Sequence, residues 1–128
     1  MSEVVVFGIE TCEQVRKARA WLRAHHVAHR FHDFRKDGLD AQRLAAWLAR
    51  VPWDSLLNRR GLAWRKLDAQ RRAAITDQTS AAELLLGDPT LVKRPVLQAG
   101  DRIIVGFSEA LYAGVFGTAD DEAGKEPR

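Results

Sequence analysis

The chain has 128 residues, 20 Lys+Arg against 17 Asp+Glu, a formal net charge of +3 and a single cysteine. That length suits one domain whose core needs neither disulfide nor metal, and one thiol cannot close an internal bridge. No apolar run approaches the roughly 20 residues of a membrane span. The basic excess is small and scattered, although Arg59 to Arg72 is locally basic, so a nucleic-acid partner is not expected. With Met-Ser-Glu and then a strand at the start, the expectation is a monomer in a reducing cytoplasm without a membrane partner.

The first element is an apolar strand, Val4-Val5-Val6-Phe7, which gives way through Gly8-Ile9-Glu10 to a helix start at Thr11. Thr11 followed three residues later by Gln14 is a capping-box pattern, and it places Cys12 in the first turn. Unpaired N–H groups and the positive end of the helix dipole favour a thiolate there, which makes Cys12 a candidate nucleophile. The competing reading is a buried cysteine acting as a small hydrophobe. Gly8 either admits a ligand backbone or relieves a strained turn.

Val15, Ala18 and Leu22 form the apolar stripe of this helix, which is expected to end near His25-His26. Val27 to Phe34 reads as a second strand, parallel to the first through the helical crossover. His29 and His32 fall on opposite faces of it, so the four histidines do not make a metal site. Lys36-Asp37-Gly38 reads as a turn and Asp40 as the cap of a helix carrying Leu44, Trp47 and Leu48 on one face. A short helix around Asp54 to Leu57, a loop at Asn58-Arg59-Arg60-Gly61 and further helical segments continue to about Gly87. Trp21, Trp47, Trp53 and Trp64 are read as packing residues.

After Asp88-Pro89 the character changes. Val96 to Gln98 and Arg102 to Val105 have hairpin spacing around Ala99-Gly100-Asp101, and Ser108 can cap a closing helix through Phe116. Residues 118–128 are polar, small or charged and read as a disordered tail. The order β-α-β, helical insert (about 39–88), β-β-α is an α/β arrangement of thioredoxin-like type, with residues 1–117 as its one domain.

A lone cysteine after the first strand is where thioredoxin-like redox proteins keep the attacking thiol. Cys12-Glu13-Gln14-Val15 has no second cysteine, so any resolving thiol comes from a small molecule or another protein. Pro95 directly before a strand is usually a trans strand-entry residue. In this fold type a cis bond there would aim the preceding backbone at a bound thiol peptide, with Arg94 able to hold a thiolate or an anion. Arg59 and Arg60 either cradle an anion or form a solvated basic patch.

Four ordered stretches carry a resemblance. They are Phe7-Gly8-Ile9-Glu10-Thr11-Cys12 with Val15-Arg16-Lys17-Ala18-Arg19, then Phe31 to Leu39, then Leu56-Leu57-Asn58-Arg59-Arg60-Gly61 through Leu67, and Lys93-Arg94-Pro95-Val96-Leu97. In these the chain resembles the arsenate reductase ArsC/Spx family, and within it the YffB-like subgroup, from Val4 to about Phe116. The resemblance implies a thioredoxin-like fold with an inserted helical subdomain, a nucleophilic thiolate at Cys12, and an anion-binding Arg94 beside a cis-Pro95. It also implies departures. Glutathione- and glutaredoxin-coupled arsenate reductases resemble this chain less at Gly8, where they have histidine, at Gly106, where they have arginine, and at Asn58, which aligns with their loop arginine; Arg60 stands in from two residues away.

The expected function is therefore a glutathione-dependent thiol reductase with glutathione as co-substrate and a glutaredoxin-like protein as partner, without a metal. The expected anion- or glutathione-binding set is Arg94, Arg60, Arg59, Gly8, Thr11 and Pro95 around catalytic Cys12. Arsenate reduction is one alternative; a Spx-like regulator that binds RNA polymerase is another, set against by the missing second cysteine of the Spx redox motif.

Overall fold

The structure is a computed structural model and describes residues 3–117; the tail expected at residues 118–128 lies outside them. Four strands, β1 (Val4–Gly8), β2 (Arg30–Asp33), β3 (Val96–Ala99) and β4 (Arg102–Val105), form one sheet in the order β2-β1-β3-β4. β1 and β2 are parallel, with Val5 beside Arg30 and Gly8 beside Asp33, and the remaining pairings are antiparallel. β1 is central and flanked on both sides, which is why five consecutive buried residues serve it instead of an alternating pattern.

Alternation along β1 separates two layers of core. Val4 and Val6 join Val15, Ala18, Trp21 and Leu22 of helix α1 (Glu13–Ala24) and Tyr112 of the closing helix, Glu109–Phe116. Val5, Phe7 and Ile9 join residues contributed by the segment between β2 and β3. That segment contains α2 (Phe34–Asp37), α3 (Ala41–Leu48), α4 (Trp53–Leu56), α5 (Leu62–Arg65), α6 (Ala69–Ala73) and α7 (Gln78–Gly87), and the closing helix is α8. Helices on both faces of a mixed sheet give the thioredoxin-like α/β arrangement. Trp47 is fully buried in the second layer, with its indole N–H donating to Gln98 Oε1 at 3.2 Å.

Asp40, Asp77 and Ser108 cap α3, α7 and α8 with side-chain acceptors, as their residue types favour. Three local expectations are corrected. The cap of α1 is Cys12, with φ −78° and ψ 126°, and no side chain caps this helix, so Thr11 and Gln14 do not form a capping box. The second strand is only Arg30–Asp33: His26 adopts a left-handed φ of 59° and the His29 ring bonds to the Val27 carbonyl, which commits the residues before Arg30 to a local turn. Lys36 and Asp37 belong to α2 instead of a turn, because Asp33 ends the strand and its carboxylate accepts from the Arg35 N–H at 2.8 Å.

Candidate active site

The parallel strands β1 and β2 run out at the same end of the sheet, and this end carries every element of the candidate site. Beyond Gly8 the chain turns at Ile9, whose carbonyl accepts from the Cys12 N–H at 3.0 Å. Cys12 then opens α1, with its carbonyl accepting from the Arg16 N–H at 3.0 Å. Its side chain is half-buried and packs at the margin of both core layers. The thiol therefore stands free, in reach of solvent, at a helix start where the backbone N–H groups are uncapped.

β3 enters from the opposite direction. Val96 pairs with Phe7, so Pro95 and Arg94 follow beside Gly8 and Ile9. The Arg94-Pro95 peptide bond is cis and Pro95 is buried. The Gly106 N–H, from the residue after β4, donates to the Pro95 carbonyl at 2.8 Å, and Gly106 has a φ of +87° that a side chain rarely adopts. The guanidinium of Arg94 is folded back on its own chain, where Nη1 donates to the Thr90 carbonyl at 2.5 Å, while Nε is buried without a partner.

The segment before Arg94 is pinned to the insert. Leu57 and Val92 form an antiparallel bridge, the Asn58 N–H donates to the Leu91 carbonyl at 2.8 Å, and the Lys93 N–H donates to the Leu56 carbonyl at 2.7 Å. This seam brings Asn58 and Arg94 to one cleft of about 390 Å³, whose walls also include Ile9, Arg35, Lys66 and Asp88. Ile9 links the cleft to the cysteine turn.

The arginines of the insert loop take other places. Arg59 lies over the rings of Trp53 and Trp64, at 5.6 and 5.9 Å from their centroids. Arg60 is exposed, held by its N–H to Asn58 Oδ1 at 3.1 Å and by its carbonyl to the Arg65 guanidinium at 2.7 Å. Neither lines the cleft. Arg35 and Lys66 do, and sequence reasoning passed over both. A signal for Arg35 existed: it follows the C-terminal end of a strand parallel to β1, the end at which open α/β sheets gather their ligands. Nothing local marked Lys66.

Gly8 serves packing. A Cβ there would collide with Val15 Cγ2 of α1, a side chain only 1% exposed, so the missing side chain lets the helix settle on the end of β1. Thr11 is exposed beside Cys12. Among the described residues no group of three or more His, Cys, Asp or Glu side chains is placed to hold a metal ion, and no helix is long and apolar enough to cross a membrane.

Comparison with known proteins agrees with this geometry, since the profile of the ArsC family matches residues 7–115. The chain belongs to the ArsC family. The solved structure of a YffB protein is 43% identical, with a TM-score of 0.82 over 87% of this chain and 96% of that one. An arsenate reductase (ArsC) related protein from Brucella melitensis is 45% identical, with a TM-score of 0.71 over 89% of this chain and 94% of that one. The global transcriptional regulator Spx of Streptococcus mutans is 29% identical over 83% of this chain and 77% of its own length. The ArsC-family match and the likeness to these solved structures together give a thiol-reductase-like fold.

Proposed function

We propose that this protein is a cytosolic thiol-dependent reductase that uses glutathione as its co-substrate. The observation that carries the reading is an uncapped, solvent-reaching Cys12 whose N–H bonds to the carbonyl of Ile9, a residue of the cleft wall. Cys12 itself does not line that cleft, which is bordered by Arg35, Lys66 and Arg94, and these make no ion pair among the described residues. The Cys12 thiolate attacks one sulfur of a disulfide; a Cys12–sulfur bond forms as the S–S bond breaks, and the displaced thiolate takes a proton from solvent. With one cysteine in the chain, the mixed disulfide is opened by an outside thiol, either glutathione or a glutaredoxin-like protein. That thiol supplies the electrons and restores Cys12. Arg94 holds a ligand carboxylate by charge-assisted hydrogen bonds. Arg59, Arg60 and Thr11, like Cys12 itself, lie outside the cleft lining, and the reading gives the carboxylate contact to Arg94.

The test is the intact mass after incubation with oxidised glutathione. One glutathionyl group is expected on the native chain, removed by excess reduced glutathione and absent from Cys12→Ser. A chain whose Cys12 is alkylated by iodoacetamide yet gains no glutathionyl group would sink the reading. Arsenate-dependent oxidation of glutathione, if found, would move the substrate to arsenate. The similarity to Spx favours a second reading, a transcription regulator, for which capture by RNA polymerase is the deciding observation.

A further inference from the structure

The positive charge of the cleft is supplied by residues outside the Arg59-Arg60 loop. Arg35 reaches it from α2 and Lys66 from the residue that closes α5, and both are exposed at its rim. Among the described residues neither makes an ion pair, whereas Lys36, the neighbour of Arg35, lies 3.9 Å from Glu10. The one carboxylate in the wall, Asp88, is already engaged: its Oδ1 accepts from the Thr90 N–H and hydroxyl. Those bonds come from neutral donors, so Asp88 keeps its charge, and the cleft sets three cations, Arg35, Lys66 and Arg94, against this one carboxylate, with no ion pair to any of the three among the described residues.

The rest of the wall sets the kind of anion. Ile9, Leu62, Ala63 and Leu67 line the cleft, and Leu62 is 59% exposed, the most exposed large apolar side chain described. A cavity of about 390 Å³ with mixed polar and apolar walls is far roomier than an inorganic oxyanion needs and is in the range of sites for small organic ligands. We propose that Arg35 and Lys66 form a carboxylate subsite that reads the C-terminal carboxylate of a peptide thiol, with the peptide's body against Leu62 and its second carboxylate left to Arg94. The proposal rests on the reductase reading for the identity of the ligand, and it assigns to Arg35 and Lys66 the anchoring that the loop arginines do not provide.

The experiment separates binding from chemistry by using the full-length Cys12→Ser chain and S-methylglutathione, followed by calorimetry or amide chemical shifts, against the same ligand with its C-terminal carboxylate converted to the amide. The acid is expected to bind about three- to fivefold more tightly than the amide, the size of a partly exposed ion pair. Arg35→Ala and Lys66→Ala should each shrink that ratio, the double variant should erase it, and Arg35→Lys should keep most of it. Arg71→Ala, on α6 and outside the cleft lining, should leave it unchanged. A ratio that survives in the double variant, or acid and amide bound alike by the parent chain, overturns the subsite. If Cys12 nevertheless takes up glutathione, only the subsite has failed. If the ratio behaves as expected and Cys12 takes up none, the subsite stands and the reductase reading falls.

Discussion

Where β1 and β2 leave the sheet, Arg94, Arg35 and Lys66 border a cleft with no ion-pair partner among the described residues; where the same strands begin, the cation that β2 itself carries, Arg30, is paired. There Arg30 is bonded and paired to Glu3, and this bond holds the Glu3 carboxyl below its ordinary range. His29 is kept neutral: burial lowers its pKa and the nearby Arg19 and Arg23 act in the same direction, against the hydrogen bond to Val27. Its ring accepts from Arg19 Nε at 3.4 Å and bonds the Val27 carbonyl at 3.1 Å, which suits the tautomer with hydrogen on Nδ1. This end has the larger cavity, about 830 Å³ and mostly apolar, lined by Val4, Val27, Ala28 and Phe116 among others. Volume alone is therefore a poor guide. The smaller cleft is the one whose wall residue Ile9 holds the Cys12 N–H and whose cations make no ion pair among the described residues.

The largest expected effect belongs to Arg94. Arg94→Ala should slow the reaction of Cys12 with oxidised glutathione by about ten- to a hundredfold, the loss of one charge-assisted hydrogen bond of ~1.5–3 kcal/mol. An unchanged second-order rate would mean that the two ends of the sheet do not differ in the way described.

Gly8 sharpens the comparison from the side of stability. Gly8→Ala sets a Cβ against Val15 and should cost about 1–3 kcal/mol in a denaturant titration, the usual range for overpacking. Combining it with Val15→Ala should give a double variant less destabilised than the sum of the two, because each removes what the other offends. Strict additivity would deny the contact.

A smaller effect is expected from His29. The unfolded imidazole titrates near 6.5 and the folded one lower, so below that pH the unfolded chain binds a proton that the fold resists. Stability should fall as pH drops from about 6.5 toward the folded value and then level off. His29→Gln should lose less stability between pH 7 and 5 than the native chain does; parallel curves would show that His29 is not held neutral. Smaller still, Arg30→Ala at this end should leave the rate at Cys12 unaltered, since the Glu3 pair is exposed and remote from the cleft.

Much of this was legible in the residues. The apolar run of β1, the stripe of α1, the hairpin spacing at Ala99-Gly100-Asp101 and the caps Asp40 and Ser108 are local signals that packing reinforced. The helix start at Cys12 was displaced by one residue because backbone angles at Cys12, not the hydroxyl of Thr11, set the cap. Lys66 escaped notice because only the seam between Leu57 and Val92 folds the insert back over the end of the sheet, and such a long-range pairing leaves no local pattern. Arg59 had a visible cue, a tryptophan on either side in sequence, Trp53 six residues before and Trp64 five after; its guanidinium lies over both rings.

The central claim is that the cations of the cleft reached through Ile9, without ion pairs among the described residues, make Cys12 select an anionic disulfide, and the most direct measurement compares rates of mixed-disulfide formation with oxidised glutathione and with neutral hydroxyethyl disulfide as ionic strength is raised. The account predicts a faster reaction with glutathione, a preference that erodes with salt because a partly exposed contact is screened, and its loss in Arg94→Ala. Equal rates for the two disulfides, insensitive to salt and unchanged in Arg94→Ala, would contradict it.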